Sequence, residues 1–189
     1  EVLERLLAHL GYDKNGESTE GRRLAFLGDL IDRGPDSPAV VDKVMDLVER
    51  GNAFCIMGNH ELLILLGRPI PGNGWFIQPN RVEKPGEFQS RHVDADKIDT
   101  YLQFFSTLPI VLENDSIRLV HACWHRPSIA RLTRDMALNL SITDLYRQYE
   151  IDVRKKLAEA ELAHMVEEEN MFYSVALDDP SWNAEVLPA

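Results

Sequence analysis

Apolar residues follow helical spacing at the start of the chain and strand-like spacing in two later runs, and glycines mark the changes. Residues 1–10 carry apolar side chains at helical spacing before Gly11, which predicts a helix that ends there. Residues 23–27 and 53–57 are short apolar runs, and each leads directly to a glycine. Runs of this length and composition predict buried strands.

An amphipathic helix is predicted between these two strands. Ser37 is expected to cap it, Pro38 suits its first position, and Gly51 lies just past its end. A strand, a helix and a strand in such a short stretch form a β-α-β unit. We therefore expect the two strands to be parallel neighbours in one sheet.

The rest of the chain predicts a long connection, a helix, a hairpin and a charged helix. Residues 67–94 are rich in Gly, Pro and charge and are expected to form a functional flap. Residues 95–107 predict a helix, and residues 110–120 predict a β-hairpin that leads into His121. Residues 141–172 predict a charged helix, whose run of three glutamates at 167–169 suits a solvated face.

Two short polar motifs follow the two strands of the β-α-β unit. Residues 28–34 read Gly-Asp-Leu-Ile-Asp-Arg-Gly, and residues 58–61 read Gly-Asn-His-Glu. Open α/β sheets bind ligands at the carboxyl ends of their strands, where both motifs are expected. Carboxylate and amide oxygens suit divalent cations, a guanidinium matches phosphate oxygens, and an imidazole suits general acid catalysis. Together these groups indicate phosphoester hydrolysis.

Each of these residues also has a purely structural interpretation. Asp29 and Asp32 would serve as turn formers, and Arg33 would make a surface salt bridge. The seven-residue order after a strand and before a capped helix favours the functional interpretation. Cys55 and Cys123 lack metal-ligand spacing and are expected to be small buried residues near strand ends.

Composition limits the classes of protein that fit. The chain has 189 residues, 44% hydrophobic and 27% charged, which is ordinary for a globular domain. A formal net charge of −11 argues against binding long nucleic acid through a broad basic surface. No apolar run is long enough to span a bilayer, so we expect no membrane partner and a cytoplasmic location.

Residues 28–34 and 58–61, separated by a helix and a strand, resemble two signatures of the calcineurin-like metallophosphoesterases. The Arg-Gly ending is most similar to the phosphoprotein phosphatase branch, which includes bacterial serine/threonine phosphatases, diadenosine tetraphosphatases and polynucleotide kinase-phosphatases. The resemblance is tight over residues 24–61 and loose to about residue 125. It implies an α/β fold, with a sandwich of β-sheets flanked by helices (α-β-β-α). It also implies a metal-dependent phosphatase, in which metal-activated hydroxide attacks a phosphomonoester or phosphoanhydride.

The same resemblance implies two divalent metal ions, with manganese favoured and iron or zinc as alternatives. Asp29 would bridge the two ions, and Asn59 would bind the second. Val120-His121-Ala122 resembles the family's next signature, so His121 would complete that second site.

The remaining roles concern the substrate. His60 would protonate the leaving-group oxygen, Asp32 would orient His60, and Arg33 would bind the phosphate. His125 is a weaker candidate and is expected to be structural or to face the substrate.

Two family signatures are missing. There is no Asp-x-His before residue 24, and no late Gly-His, since His164 lies in a charged helical stretch. We therefore expect a fragment that lacks its first strand and its C-terminal strands, and the alternative is a natural variant that lost its first metal site. In either case only the second metal site is nearly complete. Residues 1–135 would be an N-terminally incomplete core and residues 136–189 a charged helical appendage or cap. Such a chain is expected to be weakly active or inactive.

The substrate and an alternative function stay open at this level. A phosphorylated small molecule, a nucleotide or a phosphoprotein would each fit the shared core. Trp75, Phe76 and Trp124 would either stack on a nucleobase or pack the flap against the domain. The alternative from another class is a non-catalytic phosphate-binding or regulatory module. The sequence carries no signal for the oligomeric state.

Overall fold

The computed structural model describes residues 2–77 and 90–159 as an α/β structure in which helices predominate. These segments contain two sheets of two strands each. The helices are α1 (Val2–His9), α2 (Ser37–Glu49), α3 (Asn59–Leu65), α4 (Gly74–Ile77), α5 (Ile98–Thr107, preceded by a 3₁₀ turn at Ala95–Lys97), α6 (Arg126–Met136) and α7 (Ile142–Glu159). The strands are β1 (Leu24–Phe26), β2 (Ala53–Cys55), β3 (Val111–Glu113) and β4 (Arg118–Val120).

The predicted β-α-β unit is present. Strands β1 and β2 are parallel neighbours, with Leu24 opposite Ala53 and Phe26 opposite Cys55. Helix α2 contacts β2 and buries Val41, Val44 and Leu47, each fully. This apolar packing fixes the edge of the sheet at which both polar motifs begin.

The start of α2 differs from the expectation. Asp36, not Ser37, is the capping residue, and its side chain accepts a hydrogen bond of 3.0 Å from the N–H of Ala39. Ser37 is instead the first residue of the helix, and its hydroxyl accepts the N–H of Asp32 at 3.0 Å, inside the first motif. Pro38 accordingly occupies the second helical position. The beginning of α2 is thus tied to the polar loop.

The predicted hairpin is formed by β3 and β4, which are antiparallel with Val111 opposite Val120. The N–H of Met57, just after β2, donates to the carbonyl of Pro109 at 2.8 Å, just before β3. This bond joins the hairpin to the β-α-β unit. Consequently the residue that follows β4, His121, lies near the same edge as the two motifs.

Several features were not anticipated or differ from the predictions. Helices α3, α4 and α6 had no sequence prediction, and Cys123 is exposed because it lies in the loop after β4. Cys55 is buried as expected, and burial, followed by the charge of Glu61, raises the pKa of its thiol to about 12.

Some predictions concern residues outside the described segments. The predicted flap is described only at its two ends, and the predicted charged helix only as far as Glu159. The glutamate run at 167–169 and His164 lie beyond them. No helix within residues 2–77 and 90–159 combines the length and apolar character that a bilayer span requires.

Candidate active site

The two motif loops touch through their backbones. Gly28 has φ +88°, and a β-carbon added there would lie 2.3 Å from the nitrogen of Gly58. A β-carbon added at Gly58 would lie 2.3 Å from Oδ1 of Asp29. Only glycine permits such an approach, so both motifs begin with the residue that lets their loops meet.

Glu61 joins the two loops with a buried carboxylate. Its Oε2 accepts the N–H groups of Asp29 at 3.0 Å and Gly58 at 2.9 Å, and its Oε1 accepts that of Leu30 at 2.8 Å. Burial raises the pKa of Glu61, and these backbone N–H groups oppose the rise. No role was predicted for Glu61 from the sequence, although its place in the second motif was the available signal.

Three backbone positions in the first loop adopt left-handed conformations that side chains other than glycine rarely take. These are Asp29 (φ 51°), Asp32 (φ 71°) and Arg33 (φ 58°). Such conformations cost about 1–3 kcal/mol each and persist when surrounding bonds hold them. The bonds from Glu61 and from the Ser37 hydroxyl supply that restraint here, and they present the Asp29 and Asp32 side chains to the site.

Asp29, Asn59 and His121 converge at this edge. Nε2 of His121 lies 3.4 Å from Oδ1 of Asp29 and 3.2 Å from Oδ1 of Asn59. Nδ1 of His121 lies 2.6 Å from the carbonyl oxygen of Leu27. Because a carbonyl only accepts, Nδ1 carries a proton, and the form of the ring with no second proton turns the Nε2 lone pair to the two oxygens.

This arrangement fits a divalent cation. Three acceptor atoms face one another, which is unfavourable unless a positive charge lies among them. Two ligand atoms at about 2.0–2.2 Å from one ion, at angles near 90–110°, stand about 3.0–3.6 Å apart. The separations measured here lie in that range. Within the described residues no group of three His, Cys, Asp or Glu side chains could hold a metal ion. The third donor of this group is the amide of Asn59.

His60 and Asp32 form a buried pair beside this group. Nδ1 of His60 lies 2.5 Å from Oδ2 of Asp32, and Nε2 of His60 lies 4.0 Å from Oδ2 of Asp29. The hydrogen bond with Asp32 raises the pKa of the His60 imidazole, and burial of the ring opposes that rise. The positive charge of Arg33 also lowers this pKa, so Arg33 acts on the same ring.

The other carboxylate oxygen of Asp32 is held by Trp75, which was expected either to stack on a nucleobase or to pack the flap against the domain. Nε1 of Trp75 donates to Oδ1 of Asp32 at 2.7 Å. Trp75 is fully buried and Phe76 is 8% exposed, so both pack inside the domain and neither presents a face to a nucleobase. No spacing rule connects Trp75 to Asp32, since 43 residues separate them.

The remaining candidates lie at the margin of the site. Arg33 is exposed and forms no ion pair within the described part of the chain, and its backbone adjoins Gly72. His125 is exposed, and its Nδ1 lies 2.7 Å from the hydroxyl of Ser128 at the start of α6. The geometry therefore brings together Asp29, Asn59, His121, His60 and Asp32 and leaves His125 outside the group.

Comparison with known proteins identifies the family to which this chain belongs. The chain belongs to the calcineurin-like phosphoesterase family, whose model matches residues 1–167. The predicted membership of the metallophosphoesterases is thereby confirmed, together with the α/β class.

Individual relatives within this family are similar to the chain over different lengths. The chain is 32% identical over 139 residues to bis(5'-nucleosyl)-tetraphosphatase PrpE (asymmetrical) of Bacillus subtilis, covering 70% of this chain and 56% of that protein. It is 31% identical over 138 residues to the protein of the same name from Geobacillus sp., covering 67% and 54%. A zinc-dependent endopolyphosphatase of Saccharomyces cerevisiae is 30% identical over 78 residues, which is 41% of this chain and 23% of that protein. The chain thus spans about half the length of the two bacterial relatives.

Proposed function

We propose that this chain carries a metal-dependent hydrolase site for phosphomonoesters or phosphoanhydrides. The observation that carries the proposal is the convergence of Asp29, Asn59 and His121 beside the pair of His60 and Asp32. Cation ligands and a proton donor in one place are what hydrolysis of a phosphate ester requires. Membership of the calcineurin-like phosphoesterases supports the same reaction class.

Asp29, Asn59 and His121 would hold the cation. When bound, a divalent cation supplies a nucleophilic water near neutral pH and stabilises charge on the phosphoryl oxygens. Mixed oxygen and nitrogen donors suit manganese, iron or zinc, and of these we favour manganese. In the complete family site we propose two ions, with Asp29 shared between them.

His60 would donate the proton that the departing oxygen needs. Its Nδ1–H is directed to Asp32, which leaves Nε2–H of the imidazolium directed toward Asp29 and the substrate side. The Asp32 carboxylate stabilises the charged ring, as its effect on the pKa of His60 indicates. General acid assistance of this kind contributes about 10²–10⁴ in rate.

Arg33 would bind the phosphate. Its guanidinium has no carboxylate partner among the described residues, and its charge acts on His60. A planar fork of donors next to the proton donor suits the equatorial oxygens of a phosphoryl group.

A nucleotide or polyphosphate is the substrate class that we propose. The bacterial relatives are named as bis(5'-nucleosyl)-tetraphosphatases and the yeast relative as an endopolyphosphatase. Both names describe cleavage of phosphoanhydrides. The group that leaves is then a phosphate, which needs less protonation than a departing alkoxide does. Trp124 as a nucleobase platform stays a prediction.

Hydrolysis assays test this proposal. 4-Nitrophenyl phosphate, its bis-ester and diadenosine tetraphosphate would be incubated with the chain and Mn²⁺. We expect weak turnover that Asp29→Asn abolishes. His60→Ala should lower it by less than the roughly 10²–10⁴ that general acid assistance gives poor leaving groups, because 4-nitrophenolate departs readily. Asp46→Asn is the matched control, because this carboxylate pairs with Arg50 on the surface of α2.

Two outcomes count against the proposal. Turnover that survives both Asp29→Asn and His60→Ala would show that the site is assigned wrongly. Phosphate binding without hydrolysis of any of the three substrates would favour the non-catalytic phosphate-binding module instead.

A further inference from the structure

The Asp32 carboxylate is enclosed and has one partner on each oxygen. Its side chain has no exposed surface, Oδ2 pairs with Nδ1 of His60 at 2.5 Å, and Oδ1 accepts from Nε1 of Trp75 at 2.7 Å. A carboxylate bonded at one oxygen can still rotate about the bond that joins it to the β-carbon. A second bond at the other oxygen removes that freedom and fixes the plane of the group.

The indole N–H of Trp75 has Asp32 as its hydrogen-bond acceptor. The side chain is fully buried, and an indole offers a single N–H donor. Without Asp32 this donor would be unsatisfied, and without Trp75 one oxygen of a buried carboxylate would be. Each therefore needs the other, since an unpaired buried polar group is costly.

The segment that carries Trp75 is itself well anchored. The Trp75 carbonyl accepts the N–H of Val93 at 3.0 Å, and its ring meets that of Phe76 edge to face at 5.4 Å. Buried Asn73, just before α4, bonds to the backbone of Ile70 and Arg68. The indole thus approaches Asp32 from a rigid support.

We propose that Trp75 is a positioning residue for the proton donor His60. It acts through Asp32, whose orientation decides where Nε2 of His60 points, and it does not touch the substrate. This inference rests on the proposed hydrolase function. It separates Trp75 from an ordinary core residue, whose loss would weaken the fold without changing the way the leaving group departs.

Leaving-group dependence distinguishes the two roles. A misplaced proton donor slows departure of a poor leaving group, whereas a good leaving group departs without protonation. We therefore compare phenyl phosphate with 2,4-dinitrophenyl phosphate. Trp75→Phe keeps the aromatic packing and removes the N–H; its kcat should fall roughly 10–100-fold for phenyl phosphate and less than about twofold for the dinitrophenyl ester.

Tyr101→Phe provides a matched control. The Tyr101 hydroxyl donates to Oδ1 of Asp42 at 2.7 Å, and the ring is fully buried. The substitution thus also removes one donor from an aromatic–carboxylate pair, but at a carboxylate that does not contact His60. Its ratio of the two kcat values should equal that of the wild type. A Trp75→Phe variant made in the Asp32→Asn background should show no additional selective loss.

A second measurement does not depend on turnover. In ¹⁵N-histidine-labelled chain, the Nδ1–H proton of His60, assigned by its loss in His60→Gln, should be shifted downfield and protected from exchange. Trp75→Phe should move this signal upfield and speed its exchange, and Tyr101→Phe should leave both unchanged.

The outcomes separate the hypotheses. An equal fall in kcat for both esters, or no fall for either, overturns the positioning role, as does an unchanged His60 signal in Trp75→Phe. If the wild type hydrolyses neither ester, the hydrolase function is what fails. The His60 signal alone then decides whether Trp75 positions the ring.

Discussion

The motif loops and the helical pair α6–α7 are both rich in charge, but they use it in opposite ways. In the motif loops Glu61 and Asp32 are buried and bonded to backbone N–H groups, an indole and an imidazole. On α6 and α7 the charges pair with each other at the surface, as in the contact of Arg131 with Asp152. Buried carboxylates with a donor on each oxygen hold a specific conformation, whereas exposed ion pairs contribute little to stability.

The same difference appears where α7 meets the rest of the domain. Arg68, just after α3, makes a two-fold contact with Glu150 at 3.1 and 2.5 Å, and both side chains are partly exposed. If this contact is lost, water can solvate both side chains, whereas the backbone N–H groups bonded to the buried Glu61 carboxylate would lose their partner. The contrast predicts unequal costs for equally conservative substitutions in the two regions.

The largest effect is expected for Glu61→Gln. A glutamine offers one acceptor oxygen and places an NH₂ group against backbone N–H groups that now meet a carboxylate. At least one of three buried N–H groups would lose its partner, at about 1–3 kcal/mol each, so we expect a loss of about 2–4 kcal/mol in the free energy of unfolding. Urea denaturation measures it.

Glu49→Gln is the matched control, because Glu49 is exposed at the end of α2. Its free energy of unfolding should lie within about 0.5 kcal/mol of the wild type. Equal free energies of unfolding for Glu61→Gln and Glu49→Gln would contradict the claim that the buried carboxylate contributes more to stability than an exposed one.

A smaller loss of stability with a specific loss of metal binding is expected for Gly58→Ala. The added β-carbon would lie 2.3 Å from Oδ1 and 2.5 Å from N of Asp29, so this ligand must move. We expect about 1–3 kcal/mol of destabilisation and at least roughly tenfold weaker Mn²⁺ binding, a factor worth about 1.4 kcal/mol.

Gly51→Ala separates these two effects. Gly51 has φ +73° and open space around it, so alanine there is strained but does not press on the site. It should lower stability and leave Mn²⁺ affinity unchanged. A Gly58→Ala variant that binds Mn²⁺ as well as Gly51→Ala does would contradict the close approach of the two loops.

The smallest effect is expected for Arg68→Met, and it should depend on pH. The hydrogen bond from Arg68 lowers the pKa of Glu150 below its ordinary value. Because the pKa of Glu150 is lower in the folded protein than in the unfolded chain, where it is 4.5, the group contributes stability at a pH above 4.5. This contribution is lost as the pH falls through the pKa of the folded protein. The difference from wild type should be less than about 1 kcal/mol at pH 7 and should shrink as the pH falls below 4.5. A difference that grows on acidification would reverse the assigned sign.

Sequence patterns predicted the elements around the site better than the contacts within it. The parallel strands and the hairpin followed from apolar runs and glycines, because these reflect local preferences and burial. The predicted cap of α2 was wrong. Serine is a common capping residue, but the hydroxyl of Ser37 accepts a hydrogen bond from the N–H of Asp32, and Asp36 caps the helix. Helix α6 was missed because it is mostly polar and charged and buries no residue.

The candidate site shows the same division. Asp29, Asn59, His60 and His121 could be chosen because they follow strands in motifs that resemble the family's signatures. The partnership of Trp75 with Asp32 could not be predicted, since it joins residues far apart in sequence through one indole N–H. The role of Glu61 required knowledge of which backbone N–H groups face it.

The central claim is that Asp29, Asn59 and His121 form one cation site, and calorimetric titration with Mn²⁺ tests it most directly. His121→Ala should weaken binding at least roughly tenfold, a factor worth about 1.4 kcal/mol. His125→Ala, four positions along and bonded to Ser128, should bind like the wild type. Wild-type affinity in His121→Ala, or its loss in His125→Ala, would contradict the account.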